Sequence, residues 1–367
     1  MTSIYFRFVQ FSLGVYEGKE FLDGSALKGF DWAAFYEFAK KQTLVGVVFD
    51  GIQKLPKDVA PHLVLLMRWL GMSQRIMQSN ERLNVATVDI YNKVKVAGYS
   101  CCVLKGQGNA AMYPNPSART PGDVDIWVNA GREEIRRLAH LLVKKANGHV
   151  DDECFNHIGI TVNGISVELH STPGFMANFV YNRRLQKWLK RNVDLQCSNI
   201  EELPNGVGAV AIPTLSFNSV YLLYHLYHHY FYEGVGLRQI VDYYFVVMSD
   251  ELLVIRNTLQ RELKHLGLWK FAGAVMYVLH KVMGLSEDRM IAPMDMKRGR
   301  MLLDDILHGG NFGQYDTRLS LSKGAFGHNL QRLYRDARLL RLYPSEALSE
   351  PVFRVWHWWW RKLYNKQ

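Results

Sequence analysis

Residues 101–128 read CCVLKGQGNAAMYPNPSARTPGDVDIWV. Two short runs rich in apolar residues, 101–104 and 123–128, flank a glycine turn and a loop that contains three prolines. A short apolar run that stops at Lys105-Gly106 is typical of a buried strand. A helix or turn is predicted through Ala110, Ala111 and Met112, and the prolines then predict a non-helical loop up to Gly122. The stretch therefore predicts two strands of a small sheet.

A hairpin is predicted about thirty residues further on. The runs His157 to Val162 and Ile165 to His170 flank Asn163-Gly164, and an Asn-Gly pair between two strand-like runs favours a two-residue turn. Side chains along a strand alternate between its two faces, so Ser166, Glu168 and His170 share one face.

The same alternation places Asp123 and Asp125 on one face of their strand. If the hairpin strand pairs with that strand, Glu168 joins the two aspartates in one cluster. Three carboxylates at close range repel one another, and a hard divalent cation such as Mg²⁺ or Mn²⁺ relieves the repulsion. Two such ions about 4 Å apart are able to hold a triphosphate and to activate an attacking hydroxyl group. The predicted metal ligands and catalytic residues are Asp123, Asp125 and Glu168.

The turn after the first strand predicts a site for the phosphates of a nucleoside triphosphate (NTP). Glycines at Gly106 and Gly108 allow backbone N–H groups to approach phosphate oxygens closely. Lys105 or Arg119 adds a cationic contact. The predicted nucleotide contacts in this region are Lys105, Gly106, Gln107 and Arg119.

These motifs resemble the uncharacterised bacterial nucleotidyltransferase family of the DNA polymerase β-like superfamily. The core of the resemblance is Leu104-Lys105-Gly106, Tyr113-Pro114, Arg119, Asp123-Val124-Asp125-Ile126 and Val167-Glu168-Leu169-His170. It extends to Phe30 through Pro56 and to His225, His229, Gly236-Leu237-Arg238 and Asp242. The resemblance implies metal-dependent transfer of a nucleoside monophosphate from an NTP to a hydroxyl acceptor, with Arg238 as a further triphosphate contact.

The wider superfamily usually has Gly-Ser at the first turn, whereas this chain has Lys105-Gly106. This departure leaves a second hypothesis open, a regulatory protein that binds nucleotides without turnover. The retained carboxylates favour an enzyme. If the protein is an enzyme, Asp123→Ala and Asp125→Ala should each abolish turnover. Neither should have much effect on folding, because both aspartates are predicted to be surface carboxylates.

The pattern of apolar residues predicts an α+β fold. Helical periodicity runs through the first third of the chain and returns after Pro213. We therefore expect a helical segment at 1–95, a nucleotidyltransferase-like α/β core with a small mixed sheet at 96–200, and a helical domain at 201–367.

Composition excludes several other classes of protein. The chain has 367 residues, of which 48% are hydrophobic, so it is not disordered. Its four cysteines lack the spacing of a zinc site or a disulfide scaffold. Neither a signal peptide nor a membrane span is evident, which predicts a cytoplasmic protein.

The net charge of +10 favours anionic partners without choosing among them. Residues 329–367 hold eight basic and three acidic residues, which leaves nucleic-acid binding as a third hypothesis. Arg335, Arg338 and Arg341 recur at helical spacing, however, and favour a solvated helix face, so a protein or small-molecule acceptor is preferred.

Two clusters of rings have more than one interpretation. The histidines His225, His228 and His229 share a predicted helix with many aromatic residues, which favours packing or hydrogen bonding over a metal site. Four tryptophans, Trp356, Trp358, Trp359 and Trp360, are consistent with base stacking or a membrane interface, but packing on the helical core is favoured. Arg238 and Asp242, four residues apart, are expected to form an ion pair on one helix.

Overall fold

The computed structural model describes residues 2–144, 146–316, 318, 335 and 337–364. The helices are α1 (Thr2–Ser12), α2 (Lys19–Leu22), α3 (Trp32–Lys41), α4 (Val45–Ile52), α5 (Leu63–Val96), α6 (Gly106–Ala110), α7 (Arg132–Lys144), α8 (Phe179–Ser198), α9 (Leu215–Tyr232), α10 (Leu237–Val247), α11 (Asp250–His265), α12 (Trp269–Met283), α13 (Met296–Gly309) and α14 (Pro344–Tyr364). The strands are β1 (Cys101–Leu104), β2 (Val124–Val128), β3 (Gly148–Glu153), β4 (His157–Val162), β5 (Ile165–His170), β6 (Ile200–Glu202) and β7 (Ala209–Ala211). The predicted α+β class is confirmed.

Five strands form one mixed sheet in the order β1-β2-β5-β4-β3. Strands β2 and β5 run parallel, and the other neighbours are antiparallel. The predicted hairpin joins β4 to β5, with Asn163 and Gly164 at φ of +52° and +76°. Positive φ at both turn residues is the requirement of the two-residue turn that matches strand twist.

The two faces of this sheet belong to different cores. Val124 and Ile126 pack with side chains of α5 and α7 in one apolar cluster. Leu104 and Trp127, on the other face, pack against the helical part of the chain, where the Trp127 ring lies 5.8 Å from that of Phe217. Since side chains alternate along a strand, Asp125 lies on the same face as Trp127, opposite to the face covered by α5 and α7.

The helices before and after the sheet share one apolar core. Helix α1 packs against both α4 and α12, and the buried side chains of the first four helices belong to the same cluster as those of α9 to α13. Helices of the first and third predicted segments thus pack in one shared core.

The last helix, α14, closes over the loop that follows β5. The ring of Phe353 stacks on Phe175 at 4.9 Å and 21°. The expectation that the tryptophans pack on the core is wrong for Trp356, Trp358 and Trp359, which are 41%, 44% and 55% exposed. Adjacent residues on a helix point about 100° apart, so this run cannot turn inward together. No helix within the described ranges has the length and apolarity needed to cross a bilayer.

Candidate active site

The parallel pairing of β2 with β5 brings the three predicted carboxylates together. Asp125 lies directly opposite Glu168 in the register of the two strands, and Asp123 lies one residue before β2. Each carboxylate offers an oxygen within 4.8 Å of the others. The prediction that Glu168 lies beside the two aspartates on a paired strand is confirmed.

Two cationic side chains hold the buried carboxylate of Asp125. The Lys105 Nζ and His170 Nε2 atoms each lie 2.9 Å from Asp125 Oδ1, and His170 Nε2 lies 3.2 Å from Glu168 Oε2. Burial disfavours every one of these charges. The hydrogen bonds that His170 donates to the two carboxylates nevertheless raise its pKa to about 9, while Lys105 and His170 hold the pKa of Asp125 below its ordinary value.

Asp123 is the carboxylate without such support. Asp123 is the exposed member of the cluster, but repulsion by Asp125, followed by desolvation within the cavity, raises its pKa to about 6. A carboxylate that resists ionisation beside an ionised neighbour gains most from an added cation. The electrostatics of the cluster therefore fit a divalent ion at this point.

The donor atoms indicate which ions fit. Three carboxylates suit Mg²⁺ or Mn²⁺, both of which prefer oxygen ligands. A second, overlapping group of His157, Glu168 and His170 offers mixed nitrogen and oxygen atoms within the same 4.8 Å limit. The Nδ1 atoms of both histidines are buried without a hydrogen-bond partner among the described residues. The sequence had placed His170 on the right face of β5, but it gave no sign of His157.

These groups line a cavity of about 300 Å³, a volume at the lower end of the range for small-molecule sites. Its walls come from the strands, from the loop after β5 and from helices α9 and α10. The polar side chains on them are Lys105, Asn109, Arg119, Asp123, Asp125, Asn156, His157, Glu168, His170, His225, His228, His229, Glu233, Arg238, Gln239 and Asp242.

A family model described as an uncharacterised nucleotidyltransferase matches residues 28–284, which is more than half of the chain. The chain belongs to this family. No curated protein matches it. Among solved structures it is similar to an antigenic nucleotidyltransferase-like protein from Paracoccidioides brasiliensis, with 17% identity over 60% of this chain and 97% of that one and a TM-score of 0.34.

Arg238 is a buried cation on the wall of the same cavity. Its Nη1 donates to the carbonyl oxygen of Thr120 at 2.9 Å, and its Nε is buried without a partner in the described part of the chain. Within that same part, no carboxylate lies at ion-pair distance from it. A buried guanidinium without a counter-ion favours binding of an anion.

The expected ion pair between Arg238 and Asp242 does not form. Asp242 instead accepts from Nε and Nη2 of Arg119, both at 2.7 Å, and from the Tyr113 hydroxyl at 2.7 Å. The fork of Arg119 is therefore engaged, although its Nη1 is buried without a described partner. Two parallel charge-assisted bonds outweigh the weak attraction of a pair spaced four residues apart on one helix.

The predicted phosphate turn is formed differently from expectation. Lys105 and Gly106 have φ of +52° and +37° and face the cavity, but the Lys105 ammonium is paired with Asp125. Gln107 is 4% exposed and donates to Asn84 on α5. Its side chain thus points away from the cavity, and a nucleotide contact through the Gln107 backbone N–H stays a prediction.

Proposed function

We propose that the chain transfers a nucleoside monophosphate from an NTP to a hydroxyl group, with release of pyrophosphate. The observation that carries the proposal is the presence, in one cavity, of a three-carboxylate cluster and a buried guanidinium that has no counter-ion among the described residues. The carboxylates suit a divalent ion and the guanidinium suits phosphate. Membership of the nucleotidyltransferase family supports the same reaction.

Asp123, Asp125 and Glu168 are the ligands of Mg²⁺ or Mn²⁺ in this proposal. When bound, a divalent ion neutralises the triphosphate and stabilises the charge that develops on the leaving pyrophosphate. Lys105 and His170 act through Asp125, because their hydrogen bonds fix its Oδ1 atom and keep it ionised.

Arg238 binds the triphosphate, and Arg119 contributes through the one nitrogen that Asp242 does not engage. Arg119 Nη1 and Arg238 Nε are both buried donors without a partner among the described side chains. An oxyanion that accepts from both removes the cost of leaving them unpaired. The backbone at Gly106, which faces the same cavity, gives a further contact.

The acceptor is a protein or small molecule rather than a nucleic acid. Arg338, in the basic C-terminal region, donates to both carboxylate oxygens of Asp305 at 2.6 and 2.7 Å. Arg335 donates to the carbonyl oxygen of Phe231, and Arg332 lies outside the described residues. Charges used for internal packing are withdrawn from contact with nucleic-acid phosphates.

The test is incubation of the protein and a cell lysate with each of the four NTPs, labelled at the α-phosphate, in Mg²⁺ or Mn²⁺. We expect a labelled acceptor that is lost on chelation of the metal and in Asp123→Asn. Asp151→Asn, which removes an exposed carboxylate from strand β3, is the control. NTP binding without any labelled product would instead favour the non-catalytic hypothesis.

A further inference from the structure

One wall of the cavity is formed by three side chains spaced four residues apart. His225 and His229 lie on α9, and Glu233 follows the last residue of that helix. His229 Nδ1 lies 2.9 Å from Glu233 Oε2, and His229 Nε2 lies 3.0 Å from His225 Nε2. All three line the same cavity as the carboxylate cluster.

With Glu233 ionised and His229 neutral, the order of these contacts assigns the proton on each ring nitrogen. An ionised carboxylate only accepts, so His229 Nδ1 carries the hydrogen that Glu233 binds. A neutral imidazole has one N–H, which leaves His229 Nε2 as an acceptor. His225 must then donate from its own Nε2. Its Nδ1 atom is left as a bare lone pair, and no described residue donates a hydrogen bond to it.

The surroundings keep His225 in this neutral form. Burial, followed by the positive charge of Lys105 and the nearby rings of His229, His228 and His170, holds the pKa of His225 well below its ordinary value. For Glu233, the hydrogen bond from His229 outweighs burial and lowers the pKa of the carboxyl. A neutral His225 and an ionised Glu233 are the forms that the assigned donor and acceptor roles require, and both lowered pKa values favour them.

We infer that His225 Nδ1 is the binding point for the acceptor hydroxyl, and that His229 and Glu233 position it and carry its proton away. This inference rests on the proposed transfer reaction. It gives His225, His229 and Glu233 the task of binding the acceptor and removing its proton, which neither the carboxylates nor the arginines perform. His225 is the residue that contacts the substrate, and the other two are positioning residues.

Each bond in the step is accounted for. The acceptor O–H bond breaks and its proton goes to His225 Nδ1, while the Nε2 proton of His225 passes to His229 Nε2. The acceptor oxygen forms a bond to the α-phosphorus, and the bond from that phosphorus to the bridging oxygen breaks, so pyrophosphate leaves with the electron pair. His229 becomes an imidazolium beside the Glu233 carboxylate, whose side chain is 53% exposed and gives the proton a route to solvent.

The subsite also selects the class of acceptor. A bare nitrogen lone pair and a nearby carboxylate both repel an anion and both favour a hydrogen-bond donor. The adjacent wall is aromatic, since the His228 ring lies 4.4 Å from that of Tyr232 and 4.9 Å from that of Phe175. The structure therefore favours an uncharged alcohol over a phosphate group as the acceptor.

The first test does not depend on activity. Protein labelled with ¹⁵N at histidine is studied by long-range ¹H–¹⁵N correlation, and the signals of His225 are assigned by their loss in His225→Asn. We expect a protonated Nε2 and an unprotonated Nδ1 in the wild type. In Glu233→Gln the side-chain amide is able to donate, so the fixed tautomer should be lost. A protonated Nδ1 in the wild type overturns the inference.

The second test measures transfer of labelled NTP to the lysate acceptor, beside equilibrium binding of the NTP with Mg²⁺. His225→Asn should lower the transfer rate about 10²–10⁴-fold, the usual share of general acid–base catalysis, with NTP affinity unchanged. His280→Asn is the matched control. His280 is a half-buried histidine on α12 that does not line the cavity, and its Nδ1 is hydrogen-bonded to the carbonyl oxygen of Leu285.

The two ways of failing are distinct. If the wild type labels an acceptor and His225→Asn labels it at the same rate, the role of His225 is wrong and the proposed function stands. If the wild type labels nothing with any NTP, the transfer reaction itself fails, and the inference that rests on it fails too. The tautomer measurement then still decides whether the predicted proton arrangement exists.

Discussion

Asp123 and Asp125 are two residues apart, yet they occupy opposite electrostatic environments. Asp125 is 2% exposed and is held by Lys105 and His170, whereas the pKa of Asp123 is raised to about 6, first by the charge of Asp125. Both were predicted to be surface carboxylates, which is confirmed for Asp123 and wrong for Asp125. Strand alternation gives the face of a residue but not its depth, which is set by the helices that cover that face.

The two alanine variants should therefore differ in stability. Asp125→Ala leaves Lys105 without its ion-pair partner and His170 with Glu168 alone, and loss of one partner of a buried pair costs about 3–5 kcal/mol. Asp123→Ala relieves repulsion and should leave the thermal midpoint of the metal-free protein unchanged or slightly higher. Thermal unfolding of both variants in chelator measures the difference.

Asp125→Asn is the useful companion, since it keeps the shape of the side chain and removes only its charge. We expect its midpoint to lie between those of Asp125→Ala and the wild type. Equal midpoints for Asp123→Ala and Asp125→Ala would show that the Lys105 and His170 contacts contribute nothing to folding.

Glu346 on α14 gives a prediction for pH. It is 2% exposed and accepts from the Tyr227 hydroxyl at 3.2 Å and the Ala177 N–H at 3.4 Å. Burial raises its pKa from 4.5 to about 7. The folded protein thus holds this proton more tightly than the unfolded chain, so its contribution to stability is complete below pH 4.5 and is lost as the pH rises towards 7.

Glu346→Gln removes this titration. A raised pKa of this size corresponds to about 3 kcal/mol, so the free energy of unfolding of the variant relative to wild type should increase by up to that amount between pH 4.5 and pH 8. Urea unfolding across this pH range tests it. Glu287→Gln, an exposed carboxylate, is the control, and a pH-independent difference for Glu346→Gln would contradict the assignment.

At the scale of elements, one buried pair joins the loop before β2 to helix α10. Arg119 and Asp242 are 3% and 6% exposed and form two bonds of 2.7 Å, with Tyr113 as a third partner. This contact holds α10, and with it Arg238, against the strand that carries the aspartates. The position of Arg238, the proposed triphosphate-binding residue, therefore depends on the ion pair between Arg119 and Asp242.

A double-mutant cycle tests this contact. Arg119→Met and Asp242→Leu should each cost about 3–5 kcal/mol, because each leaves a buried charge without its partner. The double variant should cost far less than their sum, since it removes both charges and fills similar volume. Urea unfolding of the four proteins gives the coupling energy, and additive costs would contradict the pairing.

The same elements show what the sequence was able to predict. The hairpin and the approach of Glu168 to the aspartates followed from local rules, namely turn chemistry at Asn163-Gly164 and strand alternation. The partner of Asp242 did not, because Arg119 is 123 positions away in the chain and the expected local pair with Arg238 is the weaker interaction.

For the histidines of α9 the sequence predicted packing or hydrogen bonding, and hydrogen bonding is confirmed for His225 and His229. The part played by Glu233 was not predicted. Its spacing of four residues from His229 was available in the sequence, but Glu233 lies just beyond the end of α9. The chain of hydrogen bonds is visible only from the positions of the ring nitrogens. The spacing of residues in the sequence does not determine how the imidazole rings are oriented.

At the scale of the whole molecule, the question is what the net charge of +10 does. Several of the basic residues that suggested a nucleic-acid surface are used inside the fold. Asp305 on α13 binds Arg338 of the basic stretch 329–367 at 2.6 Å and also binds Arg318 at 2.8 Å. Paired cations of this kind contribute little to the release of counter-ions that drives nucleic-acid binding.

A gel-shift titration of the wild type against the double variant Arg335→Glu, Arg338→Glu tests this reading of the charge. We expect weak binding of duplex and single-stranded nucleic acid by both proteins, because the Arg338 fork is engaged by Asp305. The single variant Arg341→Glu is the control, since Arg341 is exposed and its reversal changes net charge without breaking that ion pair. Tight binding by the wild type that is lost in the double variant, with a log–log salt slope of about 0.9 per duplex phosphate or about 0.7 per single-strand phosphate, would overturn the expectation. Nucleic acid would then become the leading acceptor, and the uncharged alcohol favoured by the His225 subsite would be a ribose hydroxyl.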